Sequence, residues 1–177
     1  MSYRSDVVRA AVKEWEAHPA GRPDLYAAEV GGDAGADWCG YFALRSLQKA
    51  GLAKGTRWVQ GNGFISPLNL PLTNNPQPGD IVFVPEPFGH QAPIVSFEPT
   101  TGMVTSIDGN QPDIRPRVRF TKGGNIRFYS IQPLIDAAER NAPVWPWLVG
   151  GAAVLGAAAY AWLNPGPIDR ALRRVGI

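Results

Sequence analysis

Nineteen consecutive uncharged residues, Trp145 to Leu163 (WPWLVGGAAVLGAAAYAWL), constrain this chain more than any other feature. As a helix at 1.5 Å per residue the run spans roughly 28 Å, close to the thickness of a bilayer's hydrocarbon core. Trp145 and Trp147 stand at one end and Tyr160 and Trp162 at the other, where an aromatic belt would lie. Arg140 precedes the run; Pro165 and Pro167 follow it, then Arg170, Arg173 and Arg174. The expectation is a transmembrane helix within 141–165 and a basic C-terminal tail over 166–177. The alternative is a helix buried against the preceding domain, because nine of the nineteen residues are Ala or Gly. The small-xxx-small pairs Ala152/Gly156 and Ala153/Ala157 offer a surface for helix–helix self-association in the membrane.

What precedes the run reads as one globular domain, residues 1–140. The 177-residue chain is 45% hydrophobic and 18% charged, too apolar for a disordered chain. Its 17 basic and 15 acidic residues leave a formal charge of +2, with no electrostatic reason to expect a nucleic acid partner. A single cysteine excludes an intrachain disulfide and a Cys-rich zinc site, and with only two histidines no metal or cofactor is expected. The N-terminus lacks an apolar signal region. It reads as an amphipathic helix with Ser5 as N-cap and Val8, Ala11, Val12 and Trp15 on one stripe.

A second helix is expected from Ala36 to Gly51, capped by Asp37 and closed by Gly51, with Cys39, Ala43, Leu47 and Ala50 on one face. A loop rich in Gly, Asn and Pro follows to about Pro78. Short strand signals come next: Ile81–Val84, Pro93–Phe97, Met103–Asp108, Val118–Phe120 and Asn125–Ile131. Helices first and a strand meander second predict an α+β domain, its helices packed on an antiparallel sheet.

With Asp37 as N-cap, Cys39 takes the second helical position, where unpaired N–H groups and the helix dipole favour a thiolate. Its own N–H is a candidate oxyanion donor, and Gly40 leaves room for a substrate. A lone cysteine is often core filler, so the decision rests on an available base. His18 reads as the end of the first helix, whereas His90 opens an apolar strand. Glu98-Pro-Thr-Thr-Gly102 is a turn signal, and folding the chain about it sets His90 opposite Asn110 and Ala92 opposite Asp108. Those residues then share one sheet face, and a one-residue slip would separate the histidine from the acid. Pro93 predicts an edge strand or a bulge at this point.

Trp38-Cys39-Gly40-Tyr41-Phe42-Ala43, Gln77-Pro78-Gly79-Asp80-Ile81-Val82-Phe83, Gly89-His90 and Ile107-Asp108-Gly109-Asn110 together resemble a CHAP domain over residues 5–131. CHAP domains are cysteine, histidine-dependent amidohydrolases/peptidases of the papain-like superfamily, typical of phage endolysins and bacterial cell-wall hydrolases. The resemblance implies a papain-like fold with Cys39 as nucleophile, His90 as general base and Asp108 as orienting residue, Asn110 being the neighbouring alternative. It implies peptidoglycan as substrate, cleaved as an N-acetylmuramoyl-L-alanine amidase or a peptide-bridge endopeptidase. Trp38, Gly40, Trp58 and Phe88 are the candidate substrate-binding residues. The sequence departs from the family at Gln91-Ala92-Pro93, where small residues and an uninterrupted strand are usual. The competing expectation is a catalytically idle CHAP-like binding component of a membrane-associated particle. The Arg-rich tail favours a cytoplasmic C-terminus and a catalytic domain outside the cytoplasm, or packaged in a virion.

Overall fold

The computed structural model describes residues 2–33, 35–59, 63–85, 89–110, 113–121 and 125–141. The chain divides after Arg140, and the fold below is that of Met1–Arg140. The uncharged run 145–163 and the basic tail lie outside the described residues. Among those described, no helix is long and apolar enough to cross a membrane.

The domain is α+β: three helices, then a five-stranded antiparallel sheet, then a fourth helix. Helix α1 (Tyr3–Ala17) starts one turn earlier than the Ser5 cap expected from sequence. Ser2 is extended at φ −96°, ψ 149°, and its hydroxyl accepts from the Ser5 N–H. Val7, Val8, Ala11 and Val12 form its buried stripe, and His18 is its C-cap. Helix α2 (Pro23–Val30) opens on a proline, whose missing N–H costs nothing there, and closes on left-handed Gly31. Helix α3 (Cys39–Lys49) is buried at every residue from Cys39 to Leu47.

The strands are β1 (Ile81–Val84), β2 (His90–Glu98), β3 (Met103–Asn110), β4 (Asp113–Phe120) and β5 (Arg127–Tyr129), in the sheet order β4-β3-β2-β1-β5. Helix α4 (Gln132–Arg140), which the sequence reading did not separate from the domain's end, follows β5 and buries Ile135. On one face of the sheet Val82, Ala92, Ile94, Val104 and Phe128 make an apolar cluster. On the other face Gly109 meets the α3 end of the domain. A Cβ there would strike Trp38 at 2.6 Å and Phe42 at 2.7 Å, so only glycine lets the nucleophile helix approach β3.

Pro93 is not on an edge: β2 is the central strand and Pro93 pairs with Ile81. The irregularity falls one step later, where the β2–β3 pairing shifts between Ile94 and Ser96. Ile94 carries the main-chain bonds beside the proline, donating to Asp80 O and accepting from Gly79 N, each at 2.8 Å. Asp80, buried at the end of the Pro-Gly-Asp turn, accepts from Arg4 at 2.6 Å, the Gln77 N–H at 2.8 Å and the Ile131 N–H at 3.0 Å. One side chain thereby ties α1, β1 and the segment leading into α4 together.

Candidate active site

Cys39 is the first residue of α3, not the second. Asp37 does not cap the helix; Trp38 holds the N-cap position with no side-chain capping bond, and its carbonyl accepts from Phe42 N–H at 3.0 Å. An exposed Asp37 leaves the helix's first N–H groups without a carboxylate in front of them. The Cys39 thiol at this helix start is free and buried.

His90, the first residue of β2, contacts Asp108 through Nε2 at 2.7 Å from Oδ2, and the Cys39 thiol is close enough to contribute to the shift in its pKa. With Nε2 held by the carboxylate, Nδ1 is the nitrogen left for the thiol. Ile94 opposite Ser106 is the register that places His90 and Asp108 on one face, and β3 runs without a break between those positions. Burial alone would lower the His90 pKa. The Asp108 hydrogen bond and then that to Cys39 outweigh it, and the imidazole is pushed up to about 9. Asp108 moves the other way: its burial favours the neutral acid, but bonds from His90 and Arg119 hold it well below the ordinary carboxylate range.

The sequence reading missed the arginines around that carboxylate. Arg119 on β4 donates to Asp108 Oδ1 at 3.2 Å, to Oδ2, and to the Ser106 hydroxyl at 2.6 Å; Ser106 in turn donates to Oδ1 at 2.5 Å. Arg117 places Nε 3.3 Å from the same Oδ2 that His90 uses. Register explains the grouping, since Val104, Ser106 and Asp108 stand opposite Arg119, Arg117 and Arg115. The alternation Arg115-Pro-Arg117-Val-Arg119-Phe was the available signal: period two puts all three guanidiniums on one face.

Asn110 ends β3 opposite Asp113. Gly40 is buried, and a Cβ on it would strike the Trp58 ring at 2.2 Å. Trp58 therefore lies against the helix start, half-buried, with its ring edge-on to Tyr41 at 4.8 Å. Gly63 receives the same ring from its other side, at 2.6 Å from where a Cβ would stand. Trp38 is not a groove wall. It is 1% exposed and stacks obliquely on Tyr26 at 5.5 Å, because Gly21 and Gly109 leave it a slot in the core. Phe88 lies outside the described residues. Gln91, the residue that departs from the family pattern, is 2% exposed beside Gly40 and Gly63, with Oε1 lacking a hydrogen-bond partner among the described residues.

An opening of about 490 Å³ between α1 and α3, lined by Lys13, His18, Arg45 and Lys49 among others, includes none of Cys39, His90 and Asp108. The chemistry sits instead where a helix start, a strand start and a buried carboxylate converge. Such an arrangement can generate a sulfur nucleophile, move its proton through an oriented imidazole and hold the resulting charge. No protein-family model matches the chain, and no curated protein or solved structure matches it, so the convergence of Cys39, His90 and Asp108 carries the functional reading by itself.

Proposed function

We propose that the chain is a cysteine hydrolase of the CHAP type, papain-like in fold, that cleaves an amide bond of bacterial peptidoglycan. The observation that carries this reading is the His90–Asp108 contact at 2.7 Å, with the free thiol of Cys39 near enough to raise the His90 pKa. A structural cysteine needs neither partner.

In the proposed reaction the Cys39 sulfur, its proton held by His90, attacks the scissile carbonyl. The N–H groups at the start of α3 stabilise the oxyanion. As the C–N bond breaks, His90 gives its proton to the departing amine, leaving an acyl thioester on Cys39. His90 then takes a proton from water, whose oxygen attacks the thioester; the carboxylic acid leaves and the proton returns to the sulfur. Asp108 keeps Nε2 engaged, so Nδ1 faces the sulfur throughout. All of these groups are supplied by the protein.

The bond is that of an N-acetylmuramoyl-L-alanine amidase or a peptide-bridge endopeptidase. Residues 145–163 anchor the protein as a single membrane span, able to self-associate through its small residues, with the catalytic domain outside the cytoplasm or carried in a phage particle. A zymogram on purified cell walls tests the activity: the wild type clears the gel and Cys39→Ala leaves it opaque. Clearing by both proteins, or by neither, contradicts the proposal.

A further inference from the structure

Asp108 faces more positive charge than one carboxylate requires. Arg119 alone satisfies it, contacting both carboxylate oxygens and the neighbouring Ser106 hydroxyl, with its side chain 18% exposed. Arg117 makes a single ion pair to Oδ2, without the two-point geometry of Arg119, and keeps 41% of its side chain in solvent. His90 contacts that same oxygen, so the Arg117 guanidinium stands directly beside the imidazole that serves the thiol. Arg115, next along the face, is paired with Asp113. One buried carboxylate is therefore ringed by two guanidiniums and an imidazole, and the outermost guanidinium has donors left over on the solvent side.

We infer that Arg117 is a specificity-determining residue that binds a carboxylate of the substrate next to the scissile amide. The inference rests on the hydrolase reading above for the identity of the substrate, a peptide bearing a free carboxylate. It rests on geometry alone for the anion site. A planar guanidinium with an open edge matches a carboxylate in two parallel hydrogen bonds, which a lysine would meet only as a point charge. Asp108 stays held if Arg117 turns to the ligand, because Arg119 contacts both of its oxygens.

Two measurements on the full chain test the inference separately from the reaction. Because Cys39 is the sole cysteine, alkylation reports on one site, and iodoacetate and iodoacetamide differ chiefly in charge. Relative to a free thiol in the same buffer, the wild type reacts faster with iodoacetate by about tenfold, an advantage that shrinks with salt. Arg117→Gln loses most of that advantage, and Arg117→Lys retains part of it. Equal ratios in wild type and Arg117→Gln overturn the carboxylate site, as does failure of either reagent to reach the thiol. The second measurement compares solubilised wall fragments before and after carbodiimide amidation of their carboxylates. Amidation raises KM for the wild type by about tenfold and leaves KM of Arg117→Gln unchanged. A wild type indifferent to amidation overturns the inference while the hydrolase reading stands. Anion-selective alkylation without any cleavage of wall fragments overturns the hydrolase reading while the anion site stands.

Discussion

Glu14 and Asp108 are both carboxylates buried behind arginines, yet one ties helices together and the other backs a histidine. Glu14 on α1 accepts from Arg22 at 2.7 and 2.9 Å, from the Tyr26 hydroxyl at 2.9 Å and from Arg45 at 2.9 Å, which links α1, α2 and α3. Asp108 accepts from Arg119 and Ser106 in much the same way, with Arg117 beside it, but it also holds His90, whose ring lies near the Cys39 thiol. Both acids are held ionised, each against its own burial. A tyrosine in the last position makes a closed structural knot. An imidazole in that position, with a thiol beyond it, makes a site suited to moving protons.

The largest contrast is between the two amide variants. Asp108→Asn should lower turnover by about a thousandfold, because an amide can present the wrong partner to Nε2 and no longer balances the imidazolium. Glu14→Gln should leave turnover per folded molecule intact and cost about 3 kcal/mol of folding stability, since Arg22 loses its carboxylate and Arg45 keeps only Glu29. Urea unfolding and single-turnover rates on the same preparations separate the two. A Glu14→Gln protein that is stable but inactive would erase the distinction.

The pH dependence of stability divides the centres in a second way. Asp108 and Glu14 both have depressed pKa values, so each stabilises above the ordinary carboxylate range and that contribution is lost as pH falls. His90 is raised from 6.5 to about 9. Its contribution is complete below pH 6.5, declines as pH rises and is gone above about 9. The thermal midpoint should therefore drop between pH 6.5 and 9 in the wild type, and the drop should flatten in His90→Phe. Turnover should also fall as pH passes about 9, because the leaving amine then lacks its proton donor.

Removing one hydroxyl from each centre gives the smallest effects. Tyr26→Phe and Ser106→Ala each take a donor from a buried carboxylate, and each should cost about 1–3 kcal/mol in denaturant titrations. Only Ser106→Ala should also slow turnover, by loosening Asp108 behind His90. Equal turnover in both variants would mean that Ser106 merely fills space.

How much of this was readable in advance follows from where the information is local. The Glu98–Gly102 turn was legible, but the pairs beside it, such as Phe97 opposite Val104, stand one residue out of the register expected from sequence; the bulge between Ile94 and Ser96 restores it, so His90 and Asp108 share a face as expected. The bulge between Ile94 and Ser96 was displaced from Pro93, because the main-chain bonds that tolerate the proline come from Gly79 and Asp80, distant in sequence. The start of α3 was misjudged by one residue because Asp37 has a capping side chain that the fold leaves unused. Trp38 looked like a groove aromatic because the glycines that admit it to the core, Gly21 and Gly109, lie 17 and 71 residues away. Arg119 and Arg117 went unseen because an alternating cationic edge strand looks like a solvated face until β3 supplies the carboxylate opposite it.

The account turns on His90 being coupled to both Asp108 and Cys39, and an NMR titration of histidine-labelled protein measures that coupling directly. His90 should titrate near 9 in the wild type, fall markedly in Asp108→Asn, and fall by a smaller step in Cys39→Ala. A His90 midpoint near 6.5 in the wild type, unmoved by Cys39→Ala, would contradict it.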